Sequence, residues 1–271
     1  MLLPLEDNLE DILGKAQRGL RLNDAELAGR AGLTPAQLRN AKAGQFDETV
    51  VRKLAGALRL GADALVAIGN NAWRPADPGH VEGFAGFTTP FGGMTVNAYL
   101  VWDPSSRQAA AFDTGADCEP MLKFAQDNRL SIRSVFLTHA HGDHVGDLYR
   151  LVSAAGATAF ASARERVAGA ESFEDGRVFP LGTLRIEARR TSGHTRGGAS
   201  YVVSGLSRQL VITGDALFAG SIGGALVSYE DALRTNREQI LSLSDDTIVC
   251  PGHGPLTTVG EEKRHNPFFV G

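Results

Sequence analysis

The chain has 271 residues, 43% of them hydrophobic and 21% charged, with a formal net charge of −4. That length admits one large domain or a medium one beside a small one, and the composition is that of an ordinary soluble globular protein. No apolar run approaches the ~18 residues a membrane span needs, and the opening MLLPLEDNLED lacks the basic start of a secretory signal. Two cysteines, Cys118 and Cys250, do not suggest a disulfide framework. The expectation is a cytoplasmic enzyme acting on a small molecule, with no membrane partner.

Charge is uneven along the chain. Residues 12–75 carry ten Lys and Arg against five Asp and Glu, whereas residues 76–271 carry seventeen against twenty-two. A mildly basic small module therefore precedes a mildly acidic large one. The first is Leu- and Ala-rich with helical spacing: Leu9, Ile12, Leu13 and Ala16 form one apolar stripe. Asn23 or Asp24 is placed to cap a helix DAELAGRA that stops at Gly32. Thr34, Pro35 and Gln37 open the next with a capping-box pattern, ending at Gly44. Further helices are expected over 48–60 and 62–68.

The stretches LNDAELAGRAGLTPAQLRNAKAG and VVRKLAGALRLGADALV resemble the helix-turn-helix of the phage-repressor-like (Cro/C1) regulators. The resemblance implies that Gln37, Arg39, Asn40 and Lys42 face a DNA groove. Asp24 stands where that family usually has Gln, and the excess of positive charge is modest, so DNA is not the favoured partner. Dimerisation through these helices is the other use considered.

The domains expected are a helical unit over 1–72, a linker over 73–80 with Pro75 and Pro78, and a large unit over 81–271. In the large unit the texture changes to short β-branched strands separated by glycine turns. Strands are expected over 81–88, 95–102, 108–113, 132–137, 157–161, 183–189, 199–204, 209–214 and 247–250. Helices are expected over 118–129, 144–155, 229–243 and 257–265. Two sheets covered by helices would suit this α/β order.

Five of the seven histidines lie in motifs. SVFLTHAHGDHVGD starts as a buried strand and breaks into His139, His141, Asp143 and His144. Residues two apart on an extended chain point the same way, so His139 and His141 converge, and Gly142 lets the chain turn to bring Asp143 and His144 alongside. Three imidazoles and a carboxylate suit a borderline divalent metal, and the lack of cysteine points to a catalytic site with an open position. His194 in TSGHTRGG, Asp215 in LVITGDALF and His253 in VCPGHGP each end a strand at a glycine or turn.

Together these motifs resemble the metallo-β-lactamase superfamily over roughly residues 80–271, which implies a four-layer αββα fold behind the small all-α helix-turn-helix domain. The resemblance implies two divalent ions, zinc before iron or manganese. His139, His141 and His194 would hold the first, Asp143, His144 and His253 the second, with Asp215 bridging. It also implies that a hydroxide between the metals attacks a thioester or ester, with Asp143 passing a proton to the leaving group. Asp113 in AAAFDTG reads either as a residue orienting a ligand or as a turn cap before Gly115.

THAHGDHVGD, GDALFAGSIG, PGHGP and EEKRHNPFF are most similar to the hydroxyacylglutathione hydrolase (glyoxalase II-like) branch. Gly223 and Gly224 stand where that branch carries a basic residue, and Arg196 replaces its usual proline. Arg196 is read as a cleft residue for a carboxylate or phosphate, and Phe91 as touching an apolar substrate group. Two alternatives remain: a DNA-binding regulator that senses a metabolite through the metal domain, and a persulfide dioxygenase with one iron.

Overall fold

The computed structural model describes residues 3–270; the outermost ends of the two expected domains, residues 1–2 and 271, lie outside them. Five helices come first: α1 (Leu9–Gly19), α2 (Asp24–Ala31), α3 (Pro35–Lys42), α4 (Glu48–Leu58) and α5 (Ala62–Gly69). The expected caps form. Asn23 and Thr34 accept from the backbone nitrogens of Glu26 and Gln37, whose side chains reach back, and Gly32 ends α2 in the left-handed region at φ 60°.

The rest of the chain alternates strands and helices: β1 (Phe84–Phe91), β2 (Met94–Trp102), β3 (Gln108–Phe112), α6 (Glu119–Asp127), β4 (Ser131–Phe136), α7 (Gly142–Val145), α8 (Leu148–Ala155), β5 (Thr158–Ser162) and β6 (Ala170–Phe173). These strands make one sheet in the order β1-β2-β3-β4-β5-β6. A second run supplies β7 (Val178–Leu181), β8 (Leu184–Arg190), β9 (Ala199–Ser204), β10 (Leu210–Gly214), the short hairpin β11 (Leu217–Phe218) and β12 (Ser221–Ile222), α9 (Tyr229–Thr235), β13 (Ile248–Pro251), β14 (Thr257–Thr258) and α10 (Val259–His265). The second sheet has the order β14-β13-β10-β9-β8-β7.

Three apolar clusters set the layers. Between the sheets lie Tyr99, Phe112 and Phe136 from the first and Ile186, Tyr201, Ile212 and Cys250 from the second. On the outer side of the first sheet, Met121 and Ala125 of α6 and Leu151 of α8 cover Leu100, Ala111 and Val135. On the outer side of the second, Val202, Val211 and Val249 share a cluster with Leu13, Leu54, Leu65 and other residues of α1–α5. Helices thus flank a pair of sheets, the four-layer α/β arrangement, and the N-terminal helices join the apolar cluster on the outer side of the second sheet. The apolar stripe of α1 is spent inside the chain: Leu9, Ile12, Leu13 and Ala16 are all buried. Trp73, at the head of the expected linker, is buried too, stacks on His265 and donates through Nε1 to Glu261 at 3.2 Å.

Several element boundaries differ from the sequence reading. The helix expected over 144–155 is broken at Gly146 and Asp147, because Asp147 accepts from the Cys118 nitrogen at 2.9 Å and a Cβ on Gly146 would meet the Gly142 oxygen at 2.7 Å. The helix over 229–243 widens into a π-helical turn at Asn236–Ile240. The first strand starts at Phe84, since Gly83 sits at φ 92° against the Trp102 oxygen. Strands β6 and β7 were not expected; each has four residues, and their burial patterns show too short an alternation for a period-2 signal. Among the described residues no helix is long and apolar enough to cross a membrane.

The EEKRHNPFF segment locks the hairpin behind Asp215. Glu262 is fully buried and accepts from the Gly220 nitrogen at 3.0 Å, Thr257 Oγ1 at 2.8 Å and Asn266 Nδ2 at 2.8 Å. Burial outweighs those bonds and pushes its carboxyl from 4.5 up to about 7. The folded chain then holds this proton more tightly than the unfolded chain, so stability is lost as pH rises from about 4.5 to about 7. Across that window wild type is expected to lose on the order of 3 kcal/mol relative to Glu262→Gln. Urea unfolding of both proteins at pH 4.5 and pH 8 measures it; a difference that does not change with pH would refute the assignment.

Candidate metal centre

The seven side chains singled out as ligands meet at one end of the paired sheets. His139 and His141 follow β4, Asp143 and His144 lie on α7, His194 lies in the turn between β8 and β9, Asp215 follows β10 and His253 follows β13. Because β3 and β4 run parallel, as do β10 and β13, their carboxyl ends emerge side by side.

The donors fall into two groups. His139 Nε2 and His194 Nε2 stand 3.1 and 3.0 Å from His141 Nδ1. Asp143 Oδ2 stands 3.5 Å from His144 Nε2 and 3.2 Å from His253 Nε2. Asp215 lies between the groups, with Oδ2 3.5 Å from His194 Nε2 and Oδ1 3.2 Å from His144 Nε2. Space around it is reserved: a Cβ on Gly252 would fall 2.3 Å from Asp215 Oδ1 and 2.7 Å from His144 Cε1.

The outward ring nitrogens are held from behind. His253 Nδ1 meets the Thr95 oxygen at 2.6 Å, and His194 Nδ1 meets the Gly224 oxygen at 2.7 Å. His144 Nδ1 meets Asp113 Oδ2 at 2.8 Å, and His139 Nδ1 meets Thr138 Oγ1 at 3.0 Å. A carbonyl or carboxylate can only accept, so each such Nδ1 carries a proton and leaves its Nε2 as the atom turned to the centre, free to bind a metal once it is deprotonated.

That arrangement fits a pair of cations. His144 Nε2 and Asp215 Oδ1 are buried without a hydrogen-bond partner, two polar atoms that a cation would satisfy. Without metal, burial lowers the pKa of His139 well below the imidazole value, reinforced by His144. Burial also opposes charge on His144, but Asp113 and Asp215 outweigh it and hold its pKa well above that value. Burial works against ionised Asp215 as well, yet the surrounding imidazoles, His144 first, hold its pKa far below the carboxylate range. The donor set is nitrogen and oxygen only, suited to zinc, iron or manganese.

Asp113 is the orienting residue. It is buried at φ 56°, accepts from the Thr138 nitrogen and Thr138 Oγ1, both at 2.8 Å, and fixes His144. Asp113→Ala is expected to weaken the binding of one metal about 10–100-fold. Titration of apo protein with a metal-competing dye tests this; two unchanged affinities would refute it. Glu165, which the sequence reading passed over, joins two ligand loops by accepting from the Ala140 nitrogen at 3.2 Å and the Gly197 nitrogen at 2.9 Å. Nothing in ASARERVA marks it, because both partners are backbone atoms remote in sequence.

The other candidates are placed as follows. Phe91 is 42% exposed at the tip of the β1–β2 hairpin, with its Cζ 3.9 Å from a Cβ position on Gly142. Arg196 is exposed two residues after His194. Gln37, Arg39, Asn40 and Lys42 are exposed on α3, but Gln37 is engaged with the Thr34 nitrogen and Lys42 is paired with Asp24 at 2.7 Å. Cys250 is buried in β13, where burial pushes its thiol pKa far above the usual value, so the thiolate is suppressed.

The family model described as the Metallo-beta-lactamase superfamily matches residues 91–253, a span that contains all seven of these side chains. The chain belongs to this superfamily. Among its relatives, GloC of Haemophilus influenzae, named a hydroxyacylglutathione hydrolase, is 29% identical, with 64% of this chain and 92% of GloC covered. ETHE1 from Myxococcus xanthus superposes with a TM-score of 0.60 at 27% identity, covering 68% of this chain and 83% of ETHE1. TTHA1623, solved in a di-iron-bound form, gives a TM-score of 0.54 at 28% identity over 67% of this chain and 99% of its own. The superfamily is one of metallo-hydrolases that bind divalent metals, often two.

Proposed function

We propose that this superfamily member hydrolyses thioesters or esters with two divalent metal ions, one held by His139, His141 and His194 and the other by Asp143, His144 and His253. The observation that carries the reading is Asp215, whose two oxygens face different donor groups. The likeness to GloC supports the thioester class. Bound ions would supply a Lewis acid for the carbonyl and lower the pKa of water from about 15.7 towards about 7. Asp143 is set to take a proton at the carboxylate oxygen that does not face His253, and to return it to the leaving group. Phe91 and Met94, 42% and 45% exposed, cover the apolar part of the substrate and exclude water from it. Arg196 pairs with an anionic group on the substrate.

Metal-loaded wild type is expected to release thiol from S-lactoylglutathione, and Asp143→Ala to cut kcat by about 10²–10⁴-fold. Absence of release from protein shown to carry two metals would reject the thioester reading. A second reading, sulfur oxidation at a single iron, takes support from the likeness to ETHE1. Oxygen uptake with a persulfide as substrate, beside no thiol release, would favour it.

A further inference from the structure

The segment ahead of α1 runs beside the metal centre. Next to His253, a Cβ on Gly254 would stand 3.1 Å from the Glu6 nitrogen and 3.6 Å from the Pro4 oxygen. Asp7 is buried and bonded to both Ser221 Oγ and Lys15 Nζ. Lys15 Nζ also donates to the Ile222 oxygen at 2.8 Å and lies 5.0 Å from the centre of the Phe218 ring. Phe218 in turn meets the His253 ring edge-on, with centroids 5.7 Å apart. Asp7 and Lys15 therefore tie the N-terminal segment to the hairpin that follows Asp215.

Glu6 sits between these anchors. It is half-buried and has no hydrogen-bond or ion-pair partner among the described residues. Burial is the main influence on its carboxyl; of the charged groups around it His253 acts most strongly, and Asp215 is also within range. A half-buried carboxylate with no partner costs stability, and local rules are broken in this way at functional sites. Its neighbours Asp7 and Lys15 neutralise each other, so Glu6 is left as the unpaired charge of the segment that packs against Gly254.

We propose that Glu6, held beside the metal centre by the helical module, is a specificity-determining residue that receives a positively charged group of the substrate, an ammonium, and disfavours an anion at that position. A carboxylate in a recessed, partly desolvated place attracts a cation and repels an anion more strongly than one on open surface. This deepens the metal-dependent hydrolase reading and rests on it.

The test uses the full chain loaded with metal and two thiols of opposite charge, thiocholine and 3-mercaptopropionate, with Kd measured by calorimetry. Wild type is expected to bind thiocholine about 10-fold more tightly than 3-mercaptopropionate, one order of magnitude being about 1.4 kcal/mol. Glu6→Gln should remove that ratio and Glu6→Lys should reverse it, both at unchanged metal content. A ratio near one in wild type, or one that survives in Glu6→Gln, overturns the proposal. So does loss of metal from the variants, because Glu6 would then serve to balance the charge of the ions. Hydrolysis of acetylthiocholine and of S-acetyl-3-mercaptopropionate is followed in parallel. If the binding ratio depends on Glu6 while neither thioester is cleaved, the role of Glu6 stands and the thioesterase reading falls.

Discussion

Asp215→Asn is expected to reduce thioester hydrolysis on the order of 10³-fold, with fewer than two metals retained after gel filtration. The substitution changes almost no volume, so its effect is one of charge and donor type. Asp215 is buried and offers one oxygen to each donor group, 3.2 Å from His144 Nε2 and 3.5 Å from His194 Nε2. An asparagine keeps one acceptor and turns the other into an NH₂ that donates into whichever nitrogen it faces. One metal position then loses its shared oxygen, and a ring nitrogen there is occupied by a hydrogen bond. Full metal content with a wild-type rate in Asp215→Asn would show that the two donor groups work independently and would remove the main support for a paired-metal mechanism.

Chelation of the proposed ions is expected to lower Tm by about 10 °C at pH 8 and by less near pH 5. An ion present at 1,000 times its Kd adds about 4 kcal/mol, and a chain of this size gains about 2–4 °C of Tm per kcal/mol. The pH trend comes from both states. Metal needs deprotonated donors, so the contribution of the ions grows as pH rises. In the metal-free fold the pKa of His144 is raised by Asp113 and Asp215 against burial. That contribution is complete below the unfolded imidazole value and is lost as pH rises through the folded one. Through metal binding and His144 the gap between the loaded and the stripped protein therefore widens as pH rises. Glu262 acts alike in both forms, and the burial-lowered His139 offsets part of the His144 effect in the stripped one. Differential scanning fluorimetry with and without a chelator at the two pH values measures the gap; a gap that narrows with rising pH would contradict the site as drawn.

Much of the metal centre was legible in the sequence because its chemistry is local. His139 and His141 share a side of an extended segment, Gly142 permits the turn, and His144 follows on a short helix, so six residues nearly make a site on their own. Asp215 and His253 each follow a strand that reads as apolar and β-branched, and His194 comes after one that alternates Leu184, Ile186 and Ala188 with charged residues. The five N-terminal helices were equally open to reading, since Asn23, Thr34 and Gly32 are local caps whose hydrogen bonds lie within three or four residues.

What the sequence could not decide is what those helices pack against. An amphipathic stripe states that a face will be buried and does not name its partner. Leu9, Ile12 and Leu13 could equally have met a second subunit, yet they share a core with Val202, Val211 and Val249 of the second sheet. That packing brings Asp7 to Ser221, 214 positions away, and Lys15 to Ile222, 207 away. Glu165 and Asp113 were hidden in the same manner: one joins two loops through backbone nitrogens, and the other was equally readable as a turn cap until His144 was placed beside it. By itself the sequence determined the ligand types, their strand-end settings and the helix caps, because each depends on neighbours a few residues away. Only the tertiary structure decided that Asp215 faces two donor groups, that Asp113 orients His144 and that the helical module borders the site, because those contacts exist only once the sheets have packed.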